Sequence, residues 1–269
     1  MGILEAIVLG IIQGLTEFLP VSSSGHLVLF QNIFGLEGDM LFFDTMVHLA
    51  TLVAVVVAFW PDIVSIFKKP IQKLTGMLLL ATVPAVIAAL FFQDFFEGAF
   101  EGQYLGFGFL LTAILLVTAE WVSKRRAQKQ LQKKGVSYKE AGIMGVMQAV
   151  AILPGISRSG STLVGGLFSG VDRNLAARFS FLMSIPVILG SVVLQSYDLV
   201  KNGAAHVEVL PTIVAMVFAA GSGFLAIRFM LNLIRKHKLY GFAIYVGIVG
   251  ALVLLDQFVF HVVFTHPFV

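Results

Sequence analysis

A bilayer accepts an uninterrupted apolar helix, but an interrupted one must find cover for its bare backbone. The stretch that most constrains this chain is therefore Gln13–His26, QGLTEFLPVSSSGH, which interrupts an otherwise apolar beginning. Residues 3–12 before it and 27–36 after it are apolar. Each piece falls short of the roughly twenty residues a spanning helix needs. Pro20 has no N–H to donate and its ring clashes with the preceding turn, so a helix stops there. Ser22, Ser23 and Ser24, followed by Gly25, supply caps for the next helix. Non-helical backbone survives at membrane depth only where protein or a water-filled cavity covers it. The stretch thus reads as a re-entrant helical hairpin whose break faces a polar site.

The stretch has a copy. GIIQGLTEFLPVSSSG at 10–25 and GVMQAVAILPGISRSG at 145–160 both run from Gly through Gln to Leu-Pro and then Ser-x-Ser-Gly. Gln13 to Gly25 and Gln148 to Gly160 share one spacing, 135 residues apart, half of the 269-residue chain. Around the hairpins, the apolar runs 41–60, 74–93, 103–122, 176–197, 210–231 and 239–262 read as full spans. Each hairpin precedes three spans, an odd number, so the second copy sits inverted. The expected fold is all-α integral membrane: six transmembrane helices plus two re-entrant helical hairpins in an inverted-topology repeat. It divides into a first repeat over 1–122, a basic cytoplasmic loop over 123–140 and a second repeat over 141–269. Inverted repeats with broken helices place a site near the midplane where the breaks meet. The two polar stretches are accordingly expected to face each other.

Charge orients the chain. Lys68, Lys69 and Lys73, the seven bases between Lys124 and Lys139, and RKHK at 235–238 all fall on one side, the cytoplasmic side by the positive-inside rule. DFFEGAFEGQ, with three acids and no base, falls on the other, as do both termini. A content of 58% hydrophobic residues excludes a soluble domain of this length. The net charge of +3 is spread over loops rather than gathered in a patch, so nucleic acid is not an expected partner. With no cysteine, thiolate chemistry and Cys-ligated metals are excluded. The beginning, MGILEAIVLG, has no Lys or Arg and no small-residue cleavage site, unlike a signal peptide.

The polar residues point to an anion. Gln13 and Glu17, four apart, share a helix face. Ser157, Ser159 and Gly160, with Gly155, repeat the capping pattern, so two half-helix N-termini converge on one cavity and favour negative charge. Arg158 adds a fork that matches a phosphate. Glu17 beside an anion implies a divalent cation or proton handling. Asp44 and His48, four apart in a span without a counterpart in the second half, read as a helix–helix hydrogen bond. Glu120 beside Trp121 reads as interfacial, and His237, His261 and His266 near predicted ends carry no signal.

QGLTEFLPVSSSGH and PGISRSGST resemble, in order, the two motifs of the bacterial undecaprenyl-diphosphatase family of the bacitracin-resistance type. Length and hydrophobic layout are similar along essentially the whole chain. The resemblance implies hydrolysis of the terminal phosphate of undecaprenyl diphosphate to give the monophosphate carrier of cell-wall precursors. It implies a multi-pass protein of the bacterial cytoplasmic membrane, with its site open to the periplasmic or outer side. It also implies a divalent cation, Mg²⁺ or Ca²⁺. Position by position, Glu17 matches the family's essential acid and Gln13 stands where many members carry a second Glu. Ser23 and His26 match the nucleophile or acid–base pair, and Ser157, Arg158 and Thr162 match the phosphate-binding set, with Ser159 and Gly160 between them. Gln13 in place of Glu weakens a two-carboxylate metal site, so the cation at Glu17 and Gln13 is expected to lean on the substrate's phosphates. Attack by Ser23 with His26 as base, attack by His26 itself, or activation of water by His26 all remain open at this level. So does a homodimer. A polyprenyl-phosphate transporter or flippase is the alternative, because the architecture and the anion pocket serve transport equally well.

Overall fold

The computed structural model describes residues 1–36, 40–91, 104–202 and 208–264. Eleven α-helices occur among them. In chain order they are α1 (Ile3–Phe18), α2 (Ser23–Ile33), α3 (Leu41–Ala58), α4 (Trp60–Lys68), α5 (Lys73–Phe91), α6 (Leu105–Gln128), α7 (Tyr138–Val150), α8 (Arg158–Phe168), α9 (Arg173–Asn202), α10 (Val209–Lys236) and α11 (Tyr240–Leu255). A π-helical turn, Asp256–Phe260, continues α11. Six of these segments are long and apolar enough to cross a membrane: α3, α5, α6, α9, α10, and α11 with its π turn. The chain is a multi-pass membrane protein.

Several ends differ from the sequence expectation. Apolar run 41–60 stops at Ala58, and a separate half-exposed helix, α4, starts at Trp60 with Pro61 in its first turn, where a missing N–H costs nothing. α6 runs to Gln128 rather than ending at 122, because Lys124, Arg125 and Arg126 are good helix formers and the last two favour a helix C-terminus. α9 runs from Arg173 to Asn202, beyond both ends of the apolar run 176–197. The acidic connection 94–103 and His266 lie outside the described residues.

In lipid, apolar side chains gain little by exchanging lipid for protein, so close helix contact relies on small residues and interhelical polar bonds. α1 packs along α10 in parallel. Hypothetical methyl groups on Gly10 and Gly14 would fall 2.9 Å from Ala215 Cα and 2.6 Å from Gly223 N. The N-terminal ammonium pairs with Glu208 at 2.9 Å, at the start of α10. Gly14 thus sits beside Gly223, one turn before α1 ends at Phe18, while α10 runs on past Gly223 for another 13 residues, Phe224–Lys236, or about 20 Å. α7 packs in parallel on α5 in the same way, with Gly145 against Ala81. Pairs α3·α9 and α6·α11 complete the body, and α8 lodges between α6, α7 and α9.

Glu120, beside Trp121, lies inside the protein at the end of its span. It is 3% exposed, takes both oxygens' bonds from Arg173 Nη1 at 2.9 Å, and accepts the Leu239 N–H at 3.0 Å. A carboxylate at that depth is tolerated because its charge is paired and its lone pairs are filled.

Candidate active site at the meeting of two helix breaks

The first break follows from α1 running into Pro20. Phe18, fully buried, anchors the helix end edge-on against Phe181 of α9 at 5.8 Å. Leu19 is extended, and Ser22 adopts φ 71°, a left-handed conformation costing an L-residue on the order of 1–3 kcal/mol. Local bonds hold it there. Ser22 Oγ accepts the Gly25 N–H at 3.3 Å, and Ser22 C=O accepts from His26 N–H at 3.2 Å and His26 Nδ1 at 2.7 Å. A carbonyl only accepts, so Nδ1 carries the proton. In the neutral ring Nε2 then accepts from the Tyr245 hydroxyl at 2.8 Å. The imidazole also stacks on Tyr245 at 5.7 Å and meets Phe109 edge-on at 5.2 Å.

The second break is shaped by α6. Gly155 has φ +81°, and a Cβ there would fall 3.0 Å from Gly108 Cα and Phe109 N, so only glycine fits. Thr112 of α6 clamps it, donating to Gly155 C=O at 3.1 Å and accepting Ser157 N–H at 3.0 Å. Ser157 Oγ caps α8 by accepting Gly160 N–H at 3.0 Å. The two breaks touch: Ser159 Oγ donates to Leu19 C=O at 2.8 Å, and a Cβ on Gly160 would lie 3.3 Å from Pro20 Cβ.

Glu17 is the hub of this contact. Its Oε2 accepts from Ser23 Oγ at 2.6 Å and Gln13 Nε2 at 3.1 Å, and His48 Nε2 lies 3.7 Å from the same oxygen. Its Oε1 accepts from Arg158 Nη2 across the two breaks. Gln13, Glu17, Ser23 and Arg158 are thus brought together, and the first residue of α8 supplies the cation that neutralises the last turn of α1. His26 is two per cent exposed with both ring nitrogens engaged elsewhere, and Thr162 Oγ1 bonds Arg158 C=O at 2.9 Å and Ser180 Oγ at 2.5 Å. Their polar atoms do not reach the Glu17 cluster.

Sequence reasoning passed over three participants. His48 was read as structural with Asp44. Asp44 does bond across helices, accepting from Gln31 Nε2 at 2.8 Å, but His48 turns its Nε2 to Glu17. The signal was present, an imidazole inside a span, where ionisable groups mark function by default. Thr112 and Tyr245 gave no signal, since a lone Thr or Tyr in an apolar helix is ordinary.

Two buried polar atoms at the cluster have no partner among the described residues: Arg158 Nη1, a donor, and Gln13 Oε1, an acceptor. A donor and an acceptor left bare at the same carboxylate fit a phosphate and a hard cation respectively. Gln148, at the 135-residue offset from Gln13, also leaves its Oε1 bare, so that feature belongs in part to the repeated helix. Among the described residues no group of three or more His, Cys, Asp or Glu gathers as a metal cage. Glu17 and Gln13 offer three side-chain oxygens, the two of Glu17 already hydrogen-bonded.

Comparison with known proteins gives the family. Residues 6–252 match the family model described as bacitracin resistance protein BacA. The chain is 44% identical over 260 residues to an undecaprenyl-diphosphatase of Carboxydothermus hydrogenoformans, covering 96% of this chain and 98% of that one. It is 43% identical over 258 residues to an undecaprenyl-diphosphatase of Halothermothrix orenii, covering 95% and 98%. To undecaprenyl-diphosphatase 4 of Bacillus cereus it is 42% identical over 259 residues, covering 96% and 98%. With identity this high over nearly the full length of both chains, the protein belongs to the BacA bacitracin-resistance, undecaprenyl-diphosphatase family.

Proposed function

We propose that the chain hydrolyses undecaprenyl diphosphate to undecaprenyl phosphate and inorganic phosphate, at the contact between the two helix breaks. The observation that carries the reading is the hydrogen bond from Ser23 Oγ to Glu17 Oε2 at 2.6 Å, beside the bare Nη1 of Arg158. A hydroxyl bonded to a buried carboxylate is a nucleophile with its base in reach. In this mechanism Ser23 Oγ attacks the terminal phosphorus and its proton passes to Glu17. The bridging P–O bond breaks, and its electron pair leaves on the prenyl monophosphate. Glu17 passes that proton to the departing prenyl phosphate. The carboxylate so regenerated takes a proton from the water that attacks the seryl phosphate, the P–Oγ bond breaks, and the proton returns to Ser23 Oγ as phosphate leaves. Arg158 turns from Glu17 to the phosphate oxygens, and the N–H groups opening α2 and α8 face the charge that builds up there. His26 holds the Ser22 turn in place, since both its ring nitrogens are occupied. Ser157, Ser159, Gly160 and Thr162 shape the second break and so aim Arg158.

Glu17 Oε and Gln13 Oε1 would hold a Mg²⁺ or Ca²⁺, the remaining ligands coming from substrate phosphates and water. Such an ion supplies charge neutralisation for the diphosphate.

We also infer that α1–α2 and α7–α8 are re-entrant hairpins of an inverted repeat, with the site open to the outer face. Supporting this, α2 and α8 have the same bounds displaced by 135 residues: Ser23–Ile33 and Arg158–Phe168. Packing also crosses the halves reciprocally, α1 on α10 and α7 on α5. α1 spans about 24 Å, less than a bilayer core of about 30 Å, and stops partway along α10.

Purified protein in detergent, given undecaprenyl diphosphate, is expected to release phosphate, and Ser23→Ala to release none. Detergent removes compartments, so a transporter gives no signal in this assay. Normal release by Ser23→Ala sinks the seryl nucleophile.

A further inference from the structure

Where α1 stops, α10 and α11 continue, and the space beneath the first break is a groove of about 590 Å³. Its roof is Thr16, Leu19 and Val21, and its walls are Phe229 and Leu233 of α10 and Phe242 of α11. Tyr245 closes the inner end. Almost all of this lining is apolar, but two exposed polar residues, the cation Lys238 and His237, stand at the outer rim. Among the described residues neither makes an ion pair.

The rim is fixed rather than loose. Arg173 donates to Ile234 C=O at 3.3 Å and His237 C=O at 3.1 Å while paired with Glu120, and Glu120 also takes the Leu239 N–H. A buried ion pair therefore pins the connection between α10 and α11 in one shape. Arg235 and Lys236, on the preceding turn, add to the positive field. This is the same side as the Lys124–Lys139 bases, hence the cytoplasmic side by the positive-inside rule.

We propose that this groove is a binding site for an anionic phospholipid of the cytoplasmic leaflet, with one acyl chain beneath the first break and the phosphate at Lys238 and His237. The apolar lining selects a hydrocarbon chain, and Lys238 on the pinned connection, with His237 as a hydrogen-bonding neighbour, selects a negative head group. Basic pockets between membrane helices on the cytoplasmic side take anionic head groups by this combination. The site is distinct from the Glu17 cluster, since Gln13, Glu17, Ser23 and Arg158 do not line the groove.

The test uses full-length protein in detergent, mixed with phosphatidylglycerol or phosphatidylcholine of matched chains, with bound lipid counted by native mass spectrometry. Phosphatidylglycerol is expected to be retained more strongly than phosphatidylcholine. Lys238→Gln is expected to weaken that retention about fivefold, the worth of one cation near an anionic surface. Leu233→Trp, which fills the groove, is expected to lower retention of both lipids. Equal retention of the two lipids overturns the proposal, as does a Lys238→Gln variant with unchanged phosphatidylglycerol binding. Stronger retention of undecaprenyl phosphate than of phosphatidylglycerol, abolished by Leu233→Trp, overturns the phospholipid assignment.

Discussion

The Glu17–Arg158 pair joins the last turn of α1 to the first residue of α8, and both side chains are largely buried, at 5% and 15% exposure. Removing one partner leaves the other charge buried and uncompensated, which costs about 3–5 kcal/mol. Glu17→Gln keeps the shape but strands the guanidinium; Arg158→Met strands the carboxylate. The carboxylate retains bonds from Ser23 and Gln13, so Arg158→Met is expected near the lower end of that range. The double variant contains no stranded charge. If the pair acts as one unit, the double variant is more stable than the sum of the singles allows, by about 2–3 kcal/mol. Thermal melting in detergent reads this directly, each single falling on the order of 10 °C. Phosphate release from undecaprenyl diphosphate supplies the second axis, because all three variants should be inactive however stable they are. Additive melting losses would refute the reading that Arg158 neutralises Glu17 at rest.

Other regions make their own demands. Gly14→Val should separate α1 from α10, since its Cβ would meet Gly223 N at 2.6 Å, and a melting loss of several kcal/mol, about 3 or more, is expected. Thr112→Val leaves Gly155 C=O and Ser157 N–H unpaired in the interior; each orphan costs about 1–3 kcal/mol, and activity should fall with it as Arg158 loses its aim. At the start of α7, burial pushes the Glu140 carboxyl up, but bonds from Lys133 Nζ at 2.5 Å and from Ser137 outweigh it and hold it at about 2. A depressed carboxyl stabilises above its ordinary value of 4.5 and loses that contribution as pH falls toward about 2. Melting between pH 7 and 5 should therefore be indifferent to Glu140→Gln in its slope, while between 4.5 and 2 the variant should be the flatter of the two.

Much of this architecture was legible because hydrocarbon makes polar residues expensive. Pro20 and Ser22 ended one helix and started the next where the sequence placed them, and Ser157 did the same for α8. The facing of the two polar stretches was readable from the repeat, and Ser159 on Leu19 and Arg158 on Glu17 are that facing in atoms. Three-dimensional direction was not readable. His26, three residues from Ser23, points to α11 rather than to the carboxylate, because the Ser22 carbonyl captures Nδ1. His48, 31 residues from Glu17, points to it, because α3 packs beside α1. A one-dimensional pattern gives the depth of a group in the membrane, not the azimuth of its helix, and the difference between His26 and His48 is one of azimuth.

The placement of opposite charges on opposite halves has a consequence for folding. Glu17 sits on α1 and Arg158 on α8, so neither has its partner until residues 141 apart in sequence are packed together. A half molecule would hold either a bare carboxylate or a bare guanidinium at membrane depth, each costly in hydrocarbon. Assembly of the two halves is thus coupled to pairing Glu17 with Arg158, the contact that the proposed mechanism uses. Residual cost remains: Arg158 Nη1 and Gln13 Oε1 have no hydrogen-bond partner among the described residues. In the proposed mechanism an anionic substrate arriving with a cation would satisfy both atoms, and part of its affinity would come from pairing them.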